Sequence, residues 1–154
     1  MNKIAFLLAT MAACLANPAL AQESAAAKEV KAANDSYYAA LSALDMSIME
    51  KVWARSPEDT NIAPPVRPVA SRGWETIKKN YEGFWGTLDK ITVSMEQPTI
   101  TVRGPVAWVY GVEKAQRKLK NGQSQTGANM GTSIFINRDG RWLVIFHQAA
   151  ALPK

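Results

Sequence analysis

The sequence holds one histidine, His147, and the turn chemistry around it says where it stands. Histidine changes charge near neutral pH, so an inward-facing one is a ready general acid or base. Asn121-Gly122 and Asp139-Gly140 each lie between apolar runs, the pattern of two-residue hairpin loops. Such loops set Lys120 opposite Gln123 and Arg138 opposite Arg141. Counting back, Gly111, Thr132 and His147 become neighbours on three adjacent strands. The same face would carry Ala107, Val109, Ile134, Ile136, Leu143 and Ile145, with Glu113 and Met130 at its far end. A histidine beside a threonine at the end of an apolar face is the outline of a small-molecule pocket. Thr132 or Glu113 would orient the ring. A three-residue loop at either turn would exchange the faces.

The elements that position this group follow from periodicity. From about Ser24 to Leu44, Val30, Ala33, Tyr37, Leu41 and Leu44 recur at helical spacing. Asp45 is placed to cap a short second helix carrying Ile48, Met49, Val52 and Trp53. Ser56 to Pro68 is a proline-rich loop with a short strand expected at Asn61-Ile62-Ala63. A third helix starts near Ser71 or Arg72, with Trp74, Ile77, Tyr81, Phe84, Trp85 and Leu88 along its apolar side. Four alternating strands then cover Ile91–Arg103, Val106–Lys120, Gln123–Asn137 and Arg141–Ala150. Pro98 predicts a bulge, since proline cannot donate to a ladder. Helices followed by a strand meander define an α+β domain. Three helices cover one sheet face. The second, aromatic face, with Trp108, Tyr110, Phe135, Trp142, Val144 and Phe146, needs another cover, and an isologous homodimer is the simplest.

The ends and composition bound the function class. Lys3, the apolar run Ile4–Ala16 and Ala19-Leu20-Ala21 form a signal peptide over residues 1–21, with the mature chain 22–154 as one domain. The run is too short to span a bilayer, which takes about 20 apolar residues, so the expectation is an exported protein, periplasmic or secreted, with no membrane span. Met11-Ala12-Ala13-Cys14 supplies the alternative, a lipoprotein site. Cleavage after Ala21 removes the single cysteine and with it disulfide or thiol chemistry. One histidine cannot assemble a three- or four-ligand metal site, so neither metal nor cofactor is expected. The 18 basic residues less Lys3 leave 17 against 13 acids, a net +4. That charge is spread over solvated tips such as Arg117-Lys118-Lys120, not the footprint of a nucleic-acid partner.

The order of elements, with local wording, resembles the SnoaL-like group of the nuclear transport factor two-like superfamily. The wording lies in Asp45-Met46-Ser47-Ile48, Asn61-Ile62-Ala63-Pro64, Gly73-Trp74-Glu75-Thr76-Ile77 and Arg141-Trp142-Leu143-Val144-Ile145-Phe146-His147-Gln148, across about residues 30 to 150. The resemblance implies a cone, a curved antiparallel sheet packed against N-terminal helices (a cystatin-like roll), often dimeric through its outer face. Activities in this group include ketosteroid isomerases, polyketide cyclases, dehydratases and non-catalytic modules, so fold alone does not give chemistry. Against the ketosteroid isomerase pattern, Tyr37 falls at the tyrosine donor, but Ala63 and Thr132 fall at its two aspartates. Alanine cannot carry a proton, so that isomerase reaction is not expected. The resemblance implies a pocket lined by Tyr37, Trp53, Tyr81, Trp85, Thr132, Ile145 and His147. Its occupant would be a small, largely apolar molecule. Alternatively, His147 and Tyr37 act as acid/base and electrophilic donor on a carbonyl-bearing substrate, or the chain is a homodimeric assembly module without catalysis. Of the adjacent Tyr37 and Tyr38, one is expected to point fully inward. Asp59 is the remaining loop acid near the mouth.

Overall fold

The computed structural model describes residues 18–62 and 70–152, with side chains from residue 25 onward. Residues 1–17 of the expected leader, Cys14 among them, and Ala63 to Pro68 lie outside the described residues. Three helices pack on a curved, unclosed, mostly antiparallel sheet.

The first helix, α1, runs Pro18–Ala43, starting upstream of the expected Ser24 and crossing the Ala21–Gln22 junction. Proline suits a first helical turn, where its missing N–H has no helical partner to lose. Val30, Asn34, Tyr37, Tyr38 and Leu41 form its buried stripe. The second helix, α2 (Met46–Val52), begins where Asp45 accepts a 2.8 Å hydrogen bond from the Ser47 amide, as the capping signal predicts. Strands β1 (Thr60–Ile62) and β2 (Ser71–Arg72) precede α3 (Trp74–Trp85). The four long strands are β3 (Leu88–Arg103), β4 (Val106–Leu119), β5 (Ser124–Arg138) and β6 (Arg141–Ala151). Sheet order is β2-β1-β6-β5-β4-β3, with β1 parallel to β6 and the other pairs antiparallel. The register of β3 shifts between Glu96 and Thr99, the bulge that Pro98 predicts.

The faces differ from those of the two-residue-loop register. Lys118 pairs with Ser124 and Val106 with Ile136, and the Leu119 amide bonds the Gln123 carbonyl. The β4–β5 loop is therefore the three residues Lys120-Asn121-Gly122, with Gly122 at φ 86°. A three-residue hairpin needs a left-handed residue to close, and glycine supplies it. One extra loop residue turns the whole of β5 over relative to β4. The β5–β6 hairpin has the expected two-residue loop, Arg138 opposite Arg141, but a bulge at Ile145 then pairs Ile134 with Phe146 and Ser133 with His147.

Four corrections follow. Thr132 pairs with Tyr110 and Gln148 on the outer face, so it is not His147's neighbour. Ile145 is the bulged residue and does not line the cavity described below. Phe135 and Trp142 are core residues, Phe135 fully buried, and are not part of the outer aromatic face. Ile134, Ile136 and Leu143 pair with outer-face residues and are only partly buried. His147 still faces the helices because the loop residue and the bulge offset one another. Trp108, Tyr110 and Phe146 remain on the outer face, and Met130, expected on the inner face beside Glu113, joins them there; Trp108, Tyr110 and Met130 are exposed by more than a third.

Candidate functional site

A cavity of about 450 Å³ opens between α1, α3 and the inner sheet face. Its walls are apolar, with Leu41 from α1, Ile77 and Phe84 from α3, Ile91 and Val93 from β3, and Ala115 from β4. Polar groups converge on it from five elements: Tyr37, Asn61, Tyr81, Glu113 and His147. An apolar cleft with a few convergent polar groups is the usual form of a small-molecule site.

Two chains of polar contacts make up this polar end. In the first, the Tyr37 and Tyr81 hydroxyls are 2.9 Å apart, and Asn61 Nδ2 donates to the Tyr81 oxygen at 2.9 Å. In the second, Ser133 Oγ lies 3.0 Å from His147 Nδ1, His147 Nε2 lies 3.4 Å from Glu113 Oε2, and the Tyr38 hydroxyl donates to that same oxygen at 3.3 Å. The chains meet where the Tyr37 ring tilts against His147, centroids 4.8 Å apart. An ionised carboxylate only accepts hydrogen bonds. An imidazole with its proton on Nε2 accepts from the Ser133 hydroxyl at Nδ1, and one with its proton on Nδ1 donates to Ser133 Oγ.

This order separates the site from a hydrolytic triad, in which serine bonds Nε2 and the acid bonds Nδ1. Here the two are exchanged. Ser133 is fully buried and does not line the cavity, so it fixes the ring and is not placed to attack a ligand. Glu113 and His147 do line it. A carboxylate and an imidazole sharing a buried contact can hold a proton on either member and exchange it with a bound molecule.

Burial raises the pKa of Tyr37 well above its ordinary value, helped by the neighbouring Tyr81 hydroxyl and by the Glu113 carboxylate. Burial also raises Tyr38, with Glu113 adding to the effect. For Tyr81 burial again dominates, partly opposed by the hydrogen bond with Tyr37. All three phenols are thus held neutral, as hydrogen-bond donors, through the ordinary pH range.

Of the residues expected at the pocket, Tyr37, Tyr81 and His147 line it. Trp53 and Trp85 are buried behind it and do not. Trp85 stacks on Tyr81 at 5.5 Å and Trp53 meets Tyr37 edge-on at 6.3 Å, so both hold the phenol rings in place. Tyr37 and Tyr38 both turn inward, packed edge to face at 5.1 Å. Asp59 is fully buried but binds the Ser56 amide and hydroxyl, and its carbonyl accepts from the Gly73 amide. It braces the turn before α3 and lies outside the cavity lining.

Sequence reasoning missed Ser133, Asn61 and Tyr38 as partners in these chains, while Glu113, one of the two residues expected to orient the ring, does meet it. The alternation Ala107, Val109, Gly111, Glu113, Ala115 carries the signal for Glu113, because small residues of one parity leave room above the sheet.

The sequence model of the SnoaL-like domain matches residues 30–153, and the chain belongs to that family. Among solved structures, it is similar to a nuclear transport factor 2 (NTF2-like) superfamily protein from Salmonella enterica serovar Typhimurium. Identity is 22%, coverage 85% of this chain and 94% of that one, and TM-score 0.78. A putative calcium/calmodulin-dependent protein kinase II association domain from Xanthomonas campestris is 26% identical, with 82% and 88% covered and TM-score 0.71. A putative scytalone dehydratase from Novosphingobium aromaticivorans is 12% identical, with 87% and 89% covered and TM-score 0.77. No curated protein matches the chain. Among the described residues no helix is long and apolar enough to cross a membrane.

Proposed function

We propose that this chain binds a small, largely apolar molecule carrying a carbonyl or hydroxyl oxygen. One observation carries the reading: neutral Tyr37 and Tyr81, tied to Asn61, stand at the polar end of an apolar cavity of about 450 Å³. A ligand oxygen there would accept from a phenol, and its apolar body would replace water along the walls. The test is thermal denaturation of the chain from Gln22 onward with a panel of small ketones and alcohols, beside His147→Ala and Tyr37→Phe. A ligand at 100 times its dissociation constant adds about 2.7 kcal/mol. Ligands that stabilise the parent and lose effect in the variants support the reading. A panel with no effect on a folded parent overturns it.

A second reading is favoured by the His147–Glu113 contact at 3.4 Å. The pair would shuttle a proton at the carbon beside a substrate carbonyl while Tyr37 polarises the oxygen, chemistry of the isomerase, cyclase or dehydratase kind. Exchange of ketone α-protons in heavy water, followed by NMR and abolished in His147→Ala, would favour it. Exchange no faster than in buffer would remove it.

Export, by cleavage after Ala21 or lipidation at Cys14, is part of the same proposal and is read from the intact mass of the cell-derived protein. So is a homodimer through Trp108, Tyr110 and Met130, which are 37%, 45% and 39% exposed. The similarity to the Xanthomonas structure, a putative association domain, is in keeping with assembly. Sedimentation of Trp108→Ala beside the parent tests it.

A further inference from the structure

Resting on the ligand-binding reading, and narrowing it, we infer that the molecule this cavity takes is an amphipathic monoanion whose charged end lies against Lys79 and Arg117. These two are the cationic side chains among the lining residues, Lys79 from α3 and Arg117 from β4. Neither is in an ion pair among the described residues. The contrast with their sequence neighbours is specific. Lys78, one residue before Lys79, pairs with Glu50 at 2.7 Å. Lys114 and Lys118, flanking Arg117 on β4, pair with Glu96 at 2.8 Å and with Asp89 at 2.9 Å. Lys78, Lys114 and Lys118 do not line the cavity and are matched by acids, while Lys79 and Arg117, which line it, are not.

Arg117 is also held in place. Its guanidinium lies 5.8 Å from the centroid of the Phe84 ring, itself part of the cavity wall, and the residue is half-buried. A guanidinium seated on an aromatic face keeps its N–H edge free for a carboxylate, which it can bind in bidentate fashion. Lys79 is exposed and adds a mobile point charge.

The one acid in the lining, Glu113, fixes the orientation. It is buried with His147 and Tyr38 as partners, among the groups that meet Tyr37. An anionic head placed there would meet a like charge at short range, whereas a neutral carbonyl or hydroxyl would not. The ligand therefore enters with its neutral oxygen toward Tyr37 and Tyr81 and its carboxylate toward Arg117 and Lys79. Apolar side chains such as Ile91 and Val93 accept the part between.

The experiment compares three probes of one skeleton, phenylbutyrate, phenylbutanol and phenylbutylamine, by calorimetric titration of the chain from Gln22 onward. The parent, the double variant Lys79→Met/Arg117→Met and the control Lys114→Met/Lys118→Met are titrated alike. Methionine keeps the apolar stem, and the control removes equal charge outside the cavity. The expected result is phenylbutyrate binding at least tenfold more tightly than phenylbutanol, with phenylbutylamine weakest. That preference falls to less than threefold in the Lys79/Arg117 variant and persists in the control. Equal binding of acid and alcohol, or a preference kept in the Lys79/Arg117 variant, overturns the inference and leaves the ligand-binding reading standing. Failure of all three probes to bind a folded parent counts against both. Should the double variant not fold, the single Arg117→Lys, which keeps charge but loses the fork, must lose at least threefold for the acid alone.

Discussion

Gly131 is where the buried carboxylate is most open to attack by a single methyl group. A Cβ built on Gly131 would stand 3.0 Å from Met95 Cε, 3.1 Å from Glu113 Oε2 and 3.1 Å from the Tyr38 hydroxyl. Met95 can swing aside, but Glu113 and Tyr38 are buried and bonded to one another, so the methyl must push their hydrogen bond apart. Forcing an extra methyl into packed space costs about 1–3 kcal/mol. Leaving a buried polar group without its partner costs about 1–3 kcal/mol more. Against this, replacing a strand glycine recovers about 0.5–1 kcal/mol of chain entropy. The expected net loss for Gly131→Ala is about 2–4 kcal/mol. Gly127 is the internal control. It lies on the same strand with nothing within 4 Å of its Cβ, so Gly127→Ala should be neutral or stabilising by up to about 1 kcal/mol. Urea denaturation of the two variants beside the parent measures both numbers. The two alanines having equal stability would refute the reasoning that the glycine exists to seat Glu113 against Tyr38.

Two further outcomes follow from the site and the register. Tyr37, Tyr38 and Tyr81 have folded pKa values above the unfolded value of about 10, so their contribution to stability is complete below pH 10 and is lost as pH rises above it. Between pH 10 and 11 each should remove about 1 kcal/mol, and Tyr37→Phe should flatten the urea-midpoint slope by that amount; an unchanged slope would show that Tyr37 is not held neutral. For the register, Phe135→Ala should cost about 3–5 kcal/mol because the ring is fully buried, and Ile134→Ala well under half of that because its side chain is only partly covered. A reversal of that order in thermal unfolding would restore the two-residue loop.

Much of the architecture was legible because it is local. The stripe Val30, Tyr37, Leu41, the Asp45 cap and the Pro98 bulge are each decided within a few residues, and all three stand in the structure. The family match over residues 30–153 agrees with the order of elements read from the chain. Hairpin register was less legible, because Asn121-Gly122 closes a two- or a three-residue loop with the same residues. One residue of difference moves Phe135 from the outer face to the core.

The sequence by itself determined the three helices, the strand after the second of them, the four long strands, their order and the presence of a single histidine able to face a pocket. It did not determine the short strand at Ser71–Arg72, read as the start of α3. Tertiary structure alone decided what that histidine touches. The bulge at Ile145 sets Ser133, not Thr132, beside His147, and the extra residue at Lys120-Asn121-Gly122 puts that pair on the face that carries Glu113. Glu113 comes to the ring from β4 and Tyr38 comes to Glu113 from α1, 75 residues away in the chain. Contacts of that kind depend on the curvature of the sheet and the seating of a helix upon it. No local pattern encodes them, because each is the sum of many packing choices made far apart in sequence.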